Sequence, residues 1–132
     1  MSKRLNISSG VKWEDVVGYS RAVKIGNVIE VAGTTAVDDE GNLVGPNDLY
    51  EQTRYIILKI EKALISAGAA LTDIVRTRIF TTDISRWEEI GKAHGEFFRA
   101  IKPASTMVEV KSLINPEMLV EIEATAMIQE NQ

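Results

Sequence analysis

Two carboxylates near the C-terminus, Glu121 and Glu123, stand two residues apart in the run Leu119-Val120-Glu121-Ile122-Glu123-Ala124-Thr125-Ala126-Met127-Ile128. Side chains alternate across a strand, so Val120, Ile122, Ala124, Ala126 and Ile128 fill one face, and Glu121, Glu123 and Thr125 the other. Carboxylates so placed are either solvated or ion-paired, or one of them, partly desolvated in a cleft, holds or activates a water for general acid–base work. Arg21, Arg76 and Arg78 suit the complementary task. They either pair with those glutamates or clamp a substrate carboxylate, which the planar guanidinium fork matches. Tyr19 shares a strand face with Arg21 and is either a ligand hydrogen-bond donor or a partly buried strand residue. His94, on a helical apolar stripe, reads as a satisfied core or interface residue. The hydroxyls of Thr34, Thr35, Ser105 and Thr106 have no base adjacent in sequence and read as turn and cleft lining.

These groups must be positioned by a small α+β fold, expected as a single domain over residues 1–132. With 15 basic against 19 acidic residues, the net charge of -4 argues against a broad electrostatic footprint for nucleic acid. The chain has no cysteine and one histidine, which removes disulfides and thiolate chemistry and leaves little for a metal site or a serine–histidine triad. No metal or organic cofactor is expected, and no glycine pattern signals a nucleotide loop. The N-terminus lacks an apolar signal core, and no run approaches the roughly 20 apolar residues of a membrane helix. A cytoplasmic protein with no membrane contact is the expectation.

In chain order, residues 1–17 read as an arm. Residues 18–24 and 28–33 read as short strands joined by a Gly26-Asn27 turn, and Leu43-Val44 as a third short strand or a loop. Leu49, Thr53, Ile56, Ile57, Ile60, Leu64 and Ala67 predict an amphipathic helix, with Asp48 and Glu51 as a capping box and Gly68 as its end. Residues 74–82 are rich in β-branched side chains and predict a strand with Arg76, Arg78 and Phe80 on one side. Asp83 or Ser85 caps a second helix whose stripe is Trp87, Ile90, His94, Phe97, Phe98 and Ile101. The run from Pro103 to Val110 is expected to pair antiparallel with the closing strand through an Asn115-Pro116 turn, with Val108 and Val110 buried and Met107 on the open face. About six strands and two helices result. Two helices cover one face of such a sheet, so the other is solvated or meets another subunit.

Several groups of residues together resemble the RidA family, also called YjgF/YER057c/UK114. They are Gly26-Asn27 with Val31-Ala32-Gly33, Ala67-Gly68-Ala69, Asp73-Ile74-Val75-Arg76-Thr77, Phe80 with Asp83, Phe97-Phe98, Pro103-Ala104, and above all Val108-Glu109-Val110 followed by Val120-Glu121-Ile122-Glu123-Ala124. The resemblance implies a chorismate-mutase-like α+β fold assembled as a homotrimer with three intersubunit clefts. It also implies cofactor-free hydrolysis of enamines and imines, such as 2-aminoacrylate, to keto acids and ammonia. The family's water-associated glutamate carries over onto Glu121 and its cleft tyrosine onto Tyr19, while Gly33 and the backbone from Ser105 through Thr106 to Met107 would line the cleft. The arginine that follows Pro-Ala in deaminating members does not carry over, because Ser105 stands there; Met107 replaces a frequent cysteine. A serine cannot make the charged, bidentate contact with a carboxylate. Arg21 either pairs with a glutamate across strands, the leading reading, or enters the cleft and replaces the lost guanidinium, with Arg78 as the second candidate for that role. The leading expectation is an imine/enamine deaminase acting on a small metabolite. A non-enzymatic small-molecule-binding trimer is the alternative, and an endoribonuclease or translation inhibitor the third reading.

Overall fold

The computed structural model describes residues 3–130, so the first two residues of the arm and the last two of the chain lie outside the described residues. Six strands form one mixed sheet: β1 (Arg4–Ile7), β2 (Ala22–Ile25), β3 (Val28–Thr34), β4 (Ile74–Thr81), β5 (Ala104–Glu109) and β6 (Val120–Met127). Their spatial order is β1-β2-β3-β6-β4-β5. Helices α2 (Leu49–Ser66) and α3 (Trp87–Phe98) pack against each other on one face, and a short α1 (Lys12–Val17) precedes β2. The arm therefore contains a strand and a helix that the sequence pattern did not reveal. Glu14 ends the arm's freedom: it is 5% exposed and accepts hydrogen bonds from Ser8 and Ser9, an arrangement without hydrophobic period.

The core lies between α2, α3 and the sheet. Val120, Ile122, Ala124 and Ala126 of β6 are buried together with Ile29, Val31, Ile79, Ile56, Ile57, Ile60, Leu64 and Ile90. At the N-terminus of α2 the Asp48 carboxylate accepts from the Glu51 N–H at 2.9 Å. The reciprocal half of a capping box is replaced by a Glu51–Arg54 ion pair at 2.9 Å. Gly68, at φ 84°, takes the left-handed turn that stops α2, as expected of a glycine there. Trp87, expected on the α3 stripe, is 54% exposed at the helix start, where the first turn projects beyond the sheet-facing side.

One expectation is overturned. The run around Pro103–Val110 does not pair with the closing strand; β5 pairs parallel with β4, and β6 lies between β3 and β4, antiparallel to both. Parallel neighbours need a crossover, which α3 supplies between β4 and β5. Only the position between β3 and β4 lets β6 pair on both edges while burying its whole apolar face. β5 is left at the sheet edge with its faces reversed from expectation: Val108 is 42% exposed and Met107 packs against the core. Leu43 and Val44 form no strand, only an isolated bridge from Val37 to Leu43.

The insertion of β6 is secured by Gln52 on α2, which is fully buried. Its side-chain amide donates to the carbonyls of Gly45 and Glu117 at 3.0 and 3.1 Å, and its oxygen accepts from the Leu119 N–H at 2.9 Å. Gln52→Ala removes the side-chain partner of three part-buried backbone groups and is expected to cost about 1–3 kcal/mol, read as a lowered urea midpoint. Ile114→Ala, at a side chain 100% exposed, is expected to stay within about 0.5 kcal/mol of wild type.

Candidate functional site

The two carboxylates singled out by spacing have separate fates. Glu123 is ion-paired with Arg78 across the β6–β4 ladder at 3.1 Å. That pair engages one nitrogen of Arg78, Nη1. Glu121 has no ion pair among the described residues. Burial pushes its carboxyl above the usual carboxylate range; the Arg21 charge opposes that rise and the Glu123 charge adds to it.

The backbone beside Glu121 is irregular. Val31 pairs with Ala124 and Thr34 with Ile122, so Ala32 and Gly33 together stand opposite Glu123. This bulge re-aims the end of β3. A Cβ added to Gly33 would lie 2.6 Å from Glu121 Oε2. A side chain at this position would therefore displace the carboxylate, although the backbone itself makes no demand for glycine, its φ lying outside the left-handed region.

Arg21 reaches the same bulge from the end of β2. Its Nη1 donates to the Gly33 carbonyl at 2.9 Å and to Thr34 Oγ1 at 3.0 Å. The guanidinium carbon lies 5.7 Å from the Tyr19 ring centroid, within cation–π range. Tyr19 itself is 37% exposed. No glutamate lies within ion-pair distance of Arg21 among the described residues, so the simple cross-strand pair is not formed. Four residues nominated from sequence, Tyr19, Arg21, Gly33 and Glu121, therefore meet at one place.

The other three do not join them within one chain. Glu121 faces Phe80 on β4, which in turn faces Val108 on β5. β5 is thus two strand spacings, about 10 Å, from Glu121. Ser105 and Met107 are in register with the buried Thr77 and Ile79, on the helix-covered face. Thr77 donates to Ser105 Oγ at 2.8 Å and lies 2.9 Å from His94 Nε2, and burial pushes the His94 imidazole below its ordinary value. Thr106 alone turns to the open face, where it accepts from Arg76 at 3.2 Å. A shallow hollow of about 500 Å³ on that face is lined by Arg4, Arg76, Arg78, Glu30 and Glu123 and excludes both Arg21 and Glu121. Tyr19 also lines this hollow, together with the ion-paired Arg78 and Glu123, and so stands between it and Arg21.

One residue beside the site was missed by sequence reasoning. Lys59 of α2 is half-buried, donates to the Thr35 carbonyl at 2.8 Å, and has its pKa lowered to about 8 by burial and by the charge of Arg21. A signal existed: Lys59 lies three residues after Ile56 and four before Ala63, on the edge of the helix's apolar stripe. Among the described residues no group of three or more metal-ligating side chains comes together, and no helix is long and apolar enough to cross a membrane.

Comparison with known proteins agrees with this fold. Residues 10–128 match the family model described as Endoribonuclease L-PSP. A RutC family protein of Pyrococcus abyssi is 37% identical over 108 residues, covering 82% of this chain and 84% of that protein. A solved structure from Mycobacterium tuberculosis, described as a member of the highly conserved YjgF/YER057c/UK114 family, is 51% identical with a TM-score of 0.87, covering 96% of this chain and 100% of that one. A protein of unknown function of the conserved Rid family from Yersinia pestis is 29% identical, with a TM-score of 0.82 and coverage of 96% and 100%.

The raised carboxyl of Glu121 fixes a pH dependence. A group whose pKa is higher in the folded state stabilises the fold below its unfolded value, and that contribution is lost as pH rises through the folded value. Glu121→Gln is therefore expected to unfold at a higher temperature than wild type at neutral pH, with the difference closing as pH falls below about 4. Gly33→Ala is expected to displace the carboxylate and return its titration, followed by carboxyl carbon NMR, toward the ordinary value.

Proposed function

The chain belongs to the Endoribonuclease L-PSP family, the YjgF/YER057c/UK114 group, and from that premise we propose that it is a cofactor-free imine/enamine hydrolase acting on a small metabolite. The observation that carries this reading is the half-buried, unpaired Glu121 held against Gly33 with Arg21 and Tyr19 beside it. Made more basic by burial, such a carboxylate can take a proton from water as the oxygen attacks the C=N carbon, then return it to the departing nitrogen. The imine and one water become a keto acid and ammonia. Arg21 has charge to hold the substrate carboxylate, and Tyr19, whose ring lies 5.7 Å from that guanidinium, would offer its hydroxyl to the same ligand.

The assembly proposed with this chemistry is a homotrimer with clefts between subunits, in the cytoplasm. It is supported by the edge position of β5: the backbone from Ser105 to Met107, with the Thr106 side chain on the open face, lies two strands from Glu121 in one chain and would line its cleft only from a neighbouring copy. The Arg76 Nε, buried and without a partner, lies on the same open face. A binding role without turnover is the second reading, favoured by Ser105 at the position of the family's arginine. The ribonuclease reading meets an acidic chain whose one histidine is half-buried against Thr77 and Phe98.

A panel of amino-acid-derived imines, generated in situ by an amino-acid oxidase, tests the reaction through keto-acid release. Glu121→Ala is expected to lower the rate on the accepted imine by roughly 10²–10⁴-fold, and equal rates across the panel would leave only the binding role. Arg21→Ala is expected to weaken binding of carboxylate-bearing ligands by roughly ten- to a hundredfold, with no change counting against its assignment.

A further inference from the structure

The segment from Gly33 to Thr35 holds two cations side by side. Arg21 donates to Gly33 and Thr34, and Lys59 donates to Thr35, through one proton-bearing nitrogen each. Arg21 Nε and Nη2 and the remaining protons of Lys59 have no protein acceptor among the described residues, and no carboxylate lies within 4.0 Å of either cation. The acids that face Lys59 are engaged elsewhere. Asp38 accepts from the backbone N–H groups of Glu40 and Asn42, each at 2.9 Å, and Asp39 lies 3.9 Å from Lys62 at the surface. Glu121 borders the Arg21 side of the cluster. Two neighbouring cations, one of them half-buried, are unfavourable without an anion, because burial penalises the charge and the like charge repels it.

We propose that Lys59 and Arg21 form a two-cation anion site and that the cleft therefore takes imines, and the corresponding keto acids, that carry two carboxylates. The inference rests on the Arg21–Glu121 cleft being the ligand site. It adds the substrate class: one carboxylate on Arg21, which borders Glu121, and the second on Lys59, on the Thr35 side of the same segment. An acidic amino acid is the source of such an imine. Lys59 is a positioning and specificity residue and takes no part in proton transfer to the substrate.

Calorimetric titration of the full chain with 2-oxoglutarate and with 2-oxobutyrate tests this without turnover. The dicarboxylate is expected to bind roughly tenfold or more tightly than the monocarboxylate at about pH 7, from one additional charge-assisted contact. Lys59→Met is expected to abolish that preference, and Lys59→Arg to keep it. Because the Lys59 pKa stands at about 8 with Arg21, Asp38 and Asp39 as its charged neighbours, the wild-type preference should decline above that pH while that of Lys59→Arg persists. The site is disproved by equal affinity for the two keto acids in the wild type, by absence of binding of both, or by a preference that survives in Lys59→Met. A preference lost in Lys59→Met sustains it even where imine hydrolysis is absent, which separates this inference from the reaction assigned to Glu121.

Discussion

Strand β6 is hydrogen-bonded on both sides, to β3 and to β4, and buries every second side chain under the two long helices. Most of the remaining architecture follows from that placement. β5 is excluded from the centre and joins the far side of β4 through α3, and the loop before β6 is tied to α2 by the fully buried Gln52. Removing β6 from the interior would expose an unbroken apolar face and two rows of backbone groups at once, which no edge strand tolerates.

The candidate site arises where this regular ladder is interrupted. Between Val31 and Thr34, β3 has an extra residue, and the resulting bend brings Gly33 against the Glu121 carboxylate while its carbonyl accepts from Arg21. A bulge frees main-chain acceptors that the ladder would otherwise use. The Gly33 and Thr35 carbonyls hold Arg21 and Lys59 in place, so these two positive charges are positioned by backbone rather than by opposing carboxylates. The fold carries the cost: burial works against the charged forms of both Glu121 and Lys59. Groups held in such unfavourable states gather at ligand sites, where their perturbation is useful.

The two glutamates of β6 show how neighbours of identical type acquire different roles. Glu123 lies within reach of Arg78, forms an ion pair, and is electrostatically satisfied. Glu121 is set opposite Phe80, which offers no charge, and beside a glycine, which leaves room. Their alternation onto one face was legible in the strand pattern, as were α2, α3, the Gly26-Asn27 hairpin and the grouping of Tyr19 with Arg21. The pairing of β5 was not legible. Its alternation of Val108 and Val110 mimics a buried face, yet an edge strand has weaker demands on its pattern, and Met107 turned inward instead. Ser105 likewise faces Thr77 and the helix layer, away from Glu121 in the same chain.

The sequence by itself determined the element types and the family, because periodicity and local motif are properties of neighbouring residues. Only the tertiary structure decided which strands are adjacent, which glutamate is neutralised and which cations meet. Arg21 and Lys59 are separated in sequence by two strands, a turn and most of a helix, and nothing local relates them. Their approach depends on α2 packing across β3 and on the bulge that turns the Gly33–Thr35 carbonyls toward both. Charge proximity of that kind is a long-range consequence of burial, which the chain specifies only as a whole.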